Sequence, residues 1–120
     1  MSELSTFDIL ERYLDLSSER HQLVTTNMAN IDTPGYRTRD IDFRQELQRA
    51  ITSGEPSPTP ILRQVSGLVE RPDGNNVSLE RESLLLSEAQ LQFRMGVQLI
   101  RREFSRLLTA INGGSGGSSS

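Results

Sequence analysis

The sequence predicts a mainly α-helical fold in which long N- and C-terminal helices pair as an antiparallel coiled-coil hairpin, with a short irregular or extended middle segment. Three observations predict it. One stripe at alternating spacings of three and four runs through Phe7, Leu10, Leu14, Ser17, His21, Val24, Met28 and Ile31. A second runs through Leu86, Ala89, Phe93, Val97, Ile100, Phe104, Leu107 and Ile111. All five prolines lie between the two stripes, from Pro34 to Pro72. The 3-4 alternation is the period of a coiled-coil seam, and proline removes the donor that a continuing helix needs.

Ser5-Thr6-Phe7-Asp8 opens the first helix as a capping box, with Ser5 as N-cap and Asp8 three positions on. A helix over 6–31 would be about 39 Å long at 1.5 Å per residue. Its end is set by Thr33-Pro34-Gly35: proline disfavours helical geometry at Thr33, and Pro34-Gly35 suits the central positions of a type II turn. Asn27 and Asn30 lie three apart in the last turn, within reach of free carbonyls, the turn backbone or a neighbouring chain.

The segment 32–77 reads as turn, extended segment and Pro-rich loop. Tyr36 to Phe43 alternates, with Arg37, Arg39 and Ile41 on one side and Asp40 and Asp42 on the other; the aspartates are read as partners of arginines rather than as an acid-base pair. Arg44 to Ile51 suits a helix of two turns with Phe43, Leu47, Ala50 and Ile51 on one face. Thr52 to Pro60 is a Pro/Ser/Thr linker, followed by short strands at Ile61-Leu62 and Leu68-Val69 and by the turn-forming Arg71 to Asn76. The second helix spans 78–111, capped by Asn76 or Ser78, with Glu80 and Glu82 at its positive end and Arg101, Arg102 and Arg106 toward its negative end. Residues 1–112 therefore read as one domain and 113–120 as an added Gly/Ser spacer.

Composition narrows the function. Hydrophobic residues make up 34% and aromatics 5% of the 120 residues, so a large private core is not expected. The net charge of −3 argues against a nucleic-acid binder, as does the Glu103 that interrupts the C-terminal arginines. All thirteen basic residues are arginine. There is no cysteine, and no apolar run approaches the ~20 residues of a membrane span, so no direct membrane insertion is expected. No cleaved secretory signal is visible in the first six residues, which by itself implies a cytoplasmic protein. His21, the single histidine, sits beside Ser17 on the first stripe without a second ligand at metal-binding spacing, and reads as a polar pair fixing helix register. The reading assigns no catalytic, metal or cofactor-binding residue, no cofactor, and no enzyme activity.

The string Asn27, Ala29, Asn30, Thr33, Pro34, Gly35, Tyr36, one long helix in from the N-terminus, resembles the signature of the bacterial flagellar rod and hook axial proteins. Arg39-Asp40-Ile41-Asp42-Phe43 and the run from Asp73 to Glu82 sharpen the resemblance, which covers roughly residues 5 to 111. Two departures are a short, Pro-rich middle and Ser78 where the family commonly carries an acidic residue. The resemblance implies a structural proximal rod subunit of the basal body, self-associating in a helical assembly through its terminal helices and transmitting torque from the MS ring towards the hook. It implies other flagellar rod proteins, a rod-adapter protein and the MS ring as partners, and a periplasmic rod location reached by the flagellar type III export apparatus. It also implies a turn set by Asn27, Asn30, Thr33, Pro34, Gly35 and Tyr36, and assembly contacts from Leu14, Val24, Met28, Phe93, Val97, Ile100, Phe104 and Leu107. The alternative is a soluble helical adaptor or chaperone of the export system.

One physical expectation accompanies this. The off-stripe residues Leu16, Leu23, Leu84, Leu85, Leu91, Leu99 and Leu108 should stay partly in water in a lone hairpin. At ~25 cal/mol per Å², even ~300 Å² left open would supply several kcal/mol for association.

Overall fold

The structure is a computed structural model that describes residues 4–55 and 58–114. It is mainly helical and elongated, with extents of 70 × 32 × 17 Å. In order it contains α1 (Thr6–Ala29), β1 (Arg39–Asp40), α2 (Phe43–Ser53), β2 (Arg63–Gln64) and α3 (Leu79–Gly114). The expected spacer at 113–120 is entered by α3, whose last two residues are Gly113 and Gly114; Ser115 to Ser120 lie outside the described residues, as do Pro56 and Ser57 of the expected linker.

The start of α1 is fixed by a reciprocal pair: Ser5 Oγ accepts from the Asp8 N–H at 3.1 Å while Asp8 Oδ2 accepts from the Ser5 N–H at 3.2 Å. The helix ends at Ala29, two residues before Ile31, and Asn30 caps it. The chain then turns about Pro34-Gly35, where the Tyr36 N–H donates to the Thr33 carbonyl at 3.2 Å and Gly35 takes φ +75°. That positive φ is what the third position of a type II turn requires.

α1 and α3 lie against one another. Near the end of α1, Asn27 reaches Glu82 near the start of α3, and at mid-length Tyr13 and Leu14 cover Gly96. The face that α3 turns to α1 is made by Glu82, Leu85, Ala89 and Gly96, all buried, with Gln92, Ile100 and Glu103 half-buried. This corrects the expected C-terminal stripe: Phe93, Phe104 and Leu107 are 43%, 53% and 46% exposed. The small residues Ala89 and Gly96 let the backbones approach; Ala89 and Ile100 of the expected stripe do lie on this face, whereas its bulkier members Phe93 and Phe104 stand one position from Gln92 and Glu103, about 100° around the helix. Two of the leucines expected in water, Leu16 and Leu85, are buried; Leu84, Leu91, Leu99 and Leu108 are exposed. From Phe104 to Gly113 every residue of α3 is exposed.

The middle segment is more ordered than its sequence suggested. α2 runs eleven residues rather than two turns, because Asp42 caps its start by accepting from Gln45 N–H at 3.1 Å and Gly54 closes its end at φ +74°. Ile51, expected on its apolar face, is 50% exposed. The expected alternation after the turn also fails: Asp40 and Ile41 are neighbours and both buried. The expected strands at 61–62 and 68–69 are replaced by one short antiparallel ladder, Arg39 opposite Gln64 and Asp40 opposite Arg63. α2 is held to α1 by an edge-to-face contact of Tyr13 and Phe43, ring centroids 5.3 Å apart, and by fully buried Glu46. Glu46 takes Arg49 at 2.6 Å, the Ile61 N–H at 3.1 Å and Arg12 at 3.8 Å; Arg12 in turn donates to the Pro58 carbonyl at 2.7 Å.

Among the described residues the apolar core is Leu16, Val24, Ile41, Ala50, Val77, Leu85 and Ala89, outnumbered by nine buried polar or charged side chains. Each large apolar residue contributes about 1.5–3 kcal/mol by burial. So small a set makes close packing of α1 on α3 decisive, and it is tightest at Gly96, where an added Cβ would lie 2.7 Å from Leu14 Cδ2 and 3.0 Å from Tyr13 Cδ1. Gly96→Val should therefore lower stability by about 1–3 kcal/mol despite its better helix propensity. Thermal unfolding followed by circular dichroism checks this; an unchanged midpoint would mean that the helices do not meet closely at that level.

Candidate functional site

Two features of the fold bear on function: a buried polar junction where the chain turns, and the exposed faces of α3. The junction is built first from backbone need. The last carbonyls of α1 have no partner within the helix. Those of Thr26, Asn27 and Met28 are taken up locally by the N–H groups of Asn30 and Ile31 and by the Asn30 side chain, while the carbonyls just past the helix end are served from the segment before α3: the Asn75 side chain donates to the Asn30 and Thr33 carbonyls at 2.8 Å each, and Arg71 donates to the Ile31 carbonyl and, at 3.2 Å, to that of Val77. Further on, Asn76 Oδ1 accepts from the Thr38 N–H at 2.7 Å, and the Gly35 N–H donates to the Asp73 carbonyl at 2.8 Å. The Asp73 to Val77 run thus reads the shape of the turn directly.

Asn27 stands at the centre, 1% exposed. Its amide donates to the Arg39 carbonyl at 2.8 Å and to Glu82 Oε1 at 2.9 Å, and its oxygen accepts from the Tyr36 hydroxyl at 2.8 Å and the Arg39 N–H at 3.2 Å. Two donors and two acceptor positions are all that an amide side chain has, and all are used. From Glu82 the network continues to Arg81 at 2.6 Å, from Arg81 to Asp40 at 2.6 Å, and from Asp40 to Arg20 at 3.0 Å. One chain of charge-assisted bonds therefore crosses α1, β1 and α3. The Tyr36 hydroxyl is pushed above its ordinary pKa, first by burial and further by the Glu82 carboxylate, against an opposing pull from Arg39.

The expected turn residues separate into two groups. Asn27 and Tyr36 make long-range bonds, whereas Asn30 and Thr33 stay local: Asn30 donates to the Thr26 carbonyl at 2.8 Å and accepts from Thr33 Oγ1 at 3.0 Å. Pro34 and Gly35 are exposed and act through backbone geometry. The expected pairing of Asp40 with arginine is met by Arg20 and Arg81, but sequence reasoning missed Glu82 and Asn75 with Asn76 as members of the junction. The adjacent asparagines after Asp73-Gly74 were the available signal, since amide side chains in a turn seek backbone partners. Ser17 is fully buried but bonds back to the Tyr13 carbonyl at 2.8 Å, while His21 is half-buried beside it at a groove of about 520 Å³ lined also by Ser18, Ala89, Gln90, Phe93 and Arg94.

Of the expected assembly residues, Val24 is buried within the chain, Leu14, Met28, Val97 and Ile100 are half-buried, and Phe93, Phe104 and Leu107 are exposed. The exposed apolar residues of α3 form two flanks on either side of the α1-facing stripe. Leu84, Leu91, Met95 and Leu99, at helical spacings of seven, four and four, make one; Phe93, Phe104, Leu108 and Ile111 make the other. α3 thus carries apolar residues on more of its circumference than its contact with α1 covers. No helix among the described residues is long and apolar enough to cross a membrane.

Comparison with known proteins gives a consistent set of relatives. The chain is 35% identical over 113 residues to the flagellar basal body rod protein FlgB of Cereibacter sphaeroides, covering 83% of this chain and 88% of that protein. It is 26% identical over 123 residues to the flagellar basal body rod protein FlgB of Salmonella typhimurium, covering 85% and 89%, and 24% identical over 123 residues to that of Escherichia coli K12, again covering 85% and 89%. No family model matches the chain.

The junction generates two expectations. Asn27→Ala should cost about 2–4 kcal/mol, because it strips a bond from a fully buried carboxylate and leaves the Tyr36 hydroxyl and the Arg39 backbone without their partner; urea unfolding measures it, and a loss under about 1 kcal/mol would mean the junction is easily repaired. The second concerns alkali. With Tyr36 and Tyr13 both raised above 10, the unfolded chain gives up its phenolic protons first, so stability is full below about pH 10 and falls as pH rises beyond it. The chain has no lysine to titrate there. Tyr36→Phe should therefore shallow the alkaline decline of the unfolding midpoint, leaving the share due to Tyr13.

Proposed function

The chain belongs to the family of flagellar basal body rod proteins FlgB, and from that premise we propose that it is a structural component of the bacterial flagellar basal body, a proximal rod subunit. In this reading the long terminal helices pair as an antiparallel coiled-coil hairpin, and copies of the hairpin assemble helically through those helices. The assembled rod carries torque from the MS ring towards the hook, contacting the rod-adapter protein, the MS ring and other rod proteins. Its place is the periplasmic rod, reached by the flagellar type III apparatus. The work is mechanical and asks for no cofactor or turnover.

The observation that carries the reading is the double apolar flank of α3. A soluble two-helix unit needs one apolar stripe; α3 has the buried face toward α1 and exposed Leu84, Leu91, Met95 and Leu99 on one side of it and Phe93, Phe104, Leu108 and Ile111 on the other. Neighbours on both sides are what a subunit in a closed wall of helices has, and burying two non-equivalent surfaces propagates a helical array instead of closing a dimer. The exposed tip from Phe104 to Gly113 extends the same surface along the axis. Aspartate-free apolar flanks of this kind oppose the adaptor alternative, whose free form must remain soluble alone.

Phe104→Asp tests it. Phe104 is 53% exposed, so the change leaves the lone chain folded while placing a charge in the proposed contact. Concentration-dependent association, read by sedimentation velocity, should weaken about tenfold or more, since burying a large apolar side chain is worth about 1.5–3 kcal/mol and burying an unpaired carboxylate opposes contact further. Equal association of variant and parent, or a parent chain that stays monomeric at every concentration, would overturn the proposal.

A further inference from the structure

We propose, on the footing that the chain self-associates as above, that the outer backs of its two long helices are an electrostatically matched pair: the acidic back of α1 in one copy docks on the arginine back of α3 in a second copy. The outward residues of α1 in its first half are Asp8, Glu11, Asp15 and Glu19, at spacings of three, four and four, opposite the side that Leu14, Ser17 and Val24 turn inward. The outward residues of α3 in its second half include Arg101 and Arg102, opposite the side marked by Ala89 and Gly96, with Arg94, seven before Arg101, at the exposed edge of the groove that it shares with Ser18 and His21. Glu11, Asp15, Arg94, Arg101 and Arg102 are exposed and Glu19 half-buried.

None of these six charges has an ion-pair partner among the described residues, although Arg12, Arg20, Arg37, Arg49, Arg63, Arg81 and Arg106 all do. The contacts of Asn27 with Glu82 and of Leu14 with Gly96 set the heights. Glu19 falls level with about Leu91, and Asp8 with about Arg102. The carboxylates and the guanidiniums therefore occupy the same axial window on opposite backs of one unit. They also share a spacing, since Glu11 to Glu19 and Arg94 to Arg102 are each eight residues, about 12 Å along a helix. A second copy set beside the first, with the same polarity and little axial offset, brings acid onto base along the whole window.

Such a contact uses two different surfaces, so it is heterologous and repeats from copy to copy without closing at two. The charges set polarity and axial alignment and hasten encounter, while the apolar flanks supply most of the binding. Like-signed backs repel, which disfavours the antiparallel and identical-face pairings that apolar flanks alone would permit.

The test uses the full chain. Glu11→Arg with Asp15→Arg gives a molecule with two basic backs; Arg94→Glu with Arg101→Glu gives one with two acidic backs. Each alone should need about tenfold or more higher concentration for half-association by sedimentation velocity, and an equimolar mixture of the two should return to within about threefold of the parent. Raising salt from about 50 mM to about 500 mM should weaken the parent several-fold. Should a reversal lower the helical signal, the neutral pairs Glu11→Gln with Asp15→Asn and Arg94→Gln with Arg101→Gln take its place and should flatten the salt dependence. Parent association that ignores salt and both reversals overturns the docking mode but leaves self-association standing, as does a mixture that fails to recover. A parent that never associates overturns both.

Discussion

The fold depends on one saturated amide. At Asn27 the end of α1, the strand after the turn and the start of α3 meet through a single side chain, and its four bonds to Glu82, Tyr36 and both backbone groups of Arg39 fix all three at once. In a low-dielectric interior such bonds are individually strong and collectively intolerant of error, because any group left without a partner pays its desolvation in full. Glu82 is fully buried and so can be accommodated only where Asn27 and Arg81 stand. The direction in which the second long helix leaves the turn is thereby determined by polar chemistry, and the apolar contacts further along follow from it.

This gives the molecule two unlike ends. At the turn, most buried polar groups are matched, from Asn75 on the Asn30 and Thr33 carbonyls to Arg20 and Arg81 on Asp40. At the free end, every residue of α3 from Phe104 to Gly113 is exposed, the large apolar ones by 45% or more. Helices of this length draw most of their stability from tertiary burial. The turn end is therefore closed by its own polar bonds, while the free end keeps its apolar residues largely open.

How much of this was legible in the residues varied with the physics. Local signals read well: the Ser5 box, the break at Pro34-Gly35 and the start of the last helix at Ser78, whose Oγ accepts from the Arg81 N–H, are each decided by a few neighbouring residues. Long-range choices read poorly. The face of α3 that meets α1 carries a glutamate, a glutamine and a glycine, which a count of apolar periodicity passes over in favour of Phe93 and Phe104 one position away. Arg12 has no local sequence signal of burial but is 4% exposed, its position made tolerable by Pro58 and Glu46 from distant parts of the chain. The ladder of β1 with β2 is two residues a strand, too short to leave an alternating pattern.

The misplaced stripe is itself informative. Phe93, Phe104 and Leu107 stand at coiled-coil spacing in α3, yet the contact with α1 leaves each of them more than two-fifths exposed. Had Phe93 and Phe104 faced inward, Gly96 would be turned aside and the two backbones would stand further apart. By giving the internal contact to small and polar residues, the sequence keeps its apolar bulk for the outside. The polar junction is what makes that division tenable, since it orients the helices without drawing on the residues that association needs.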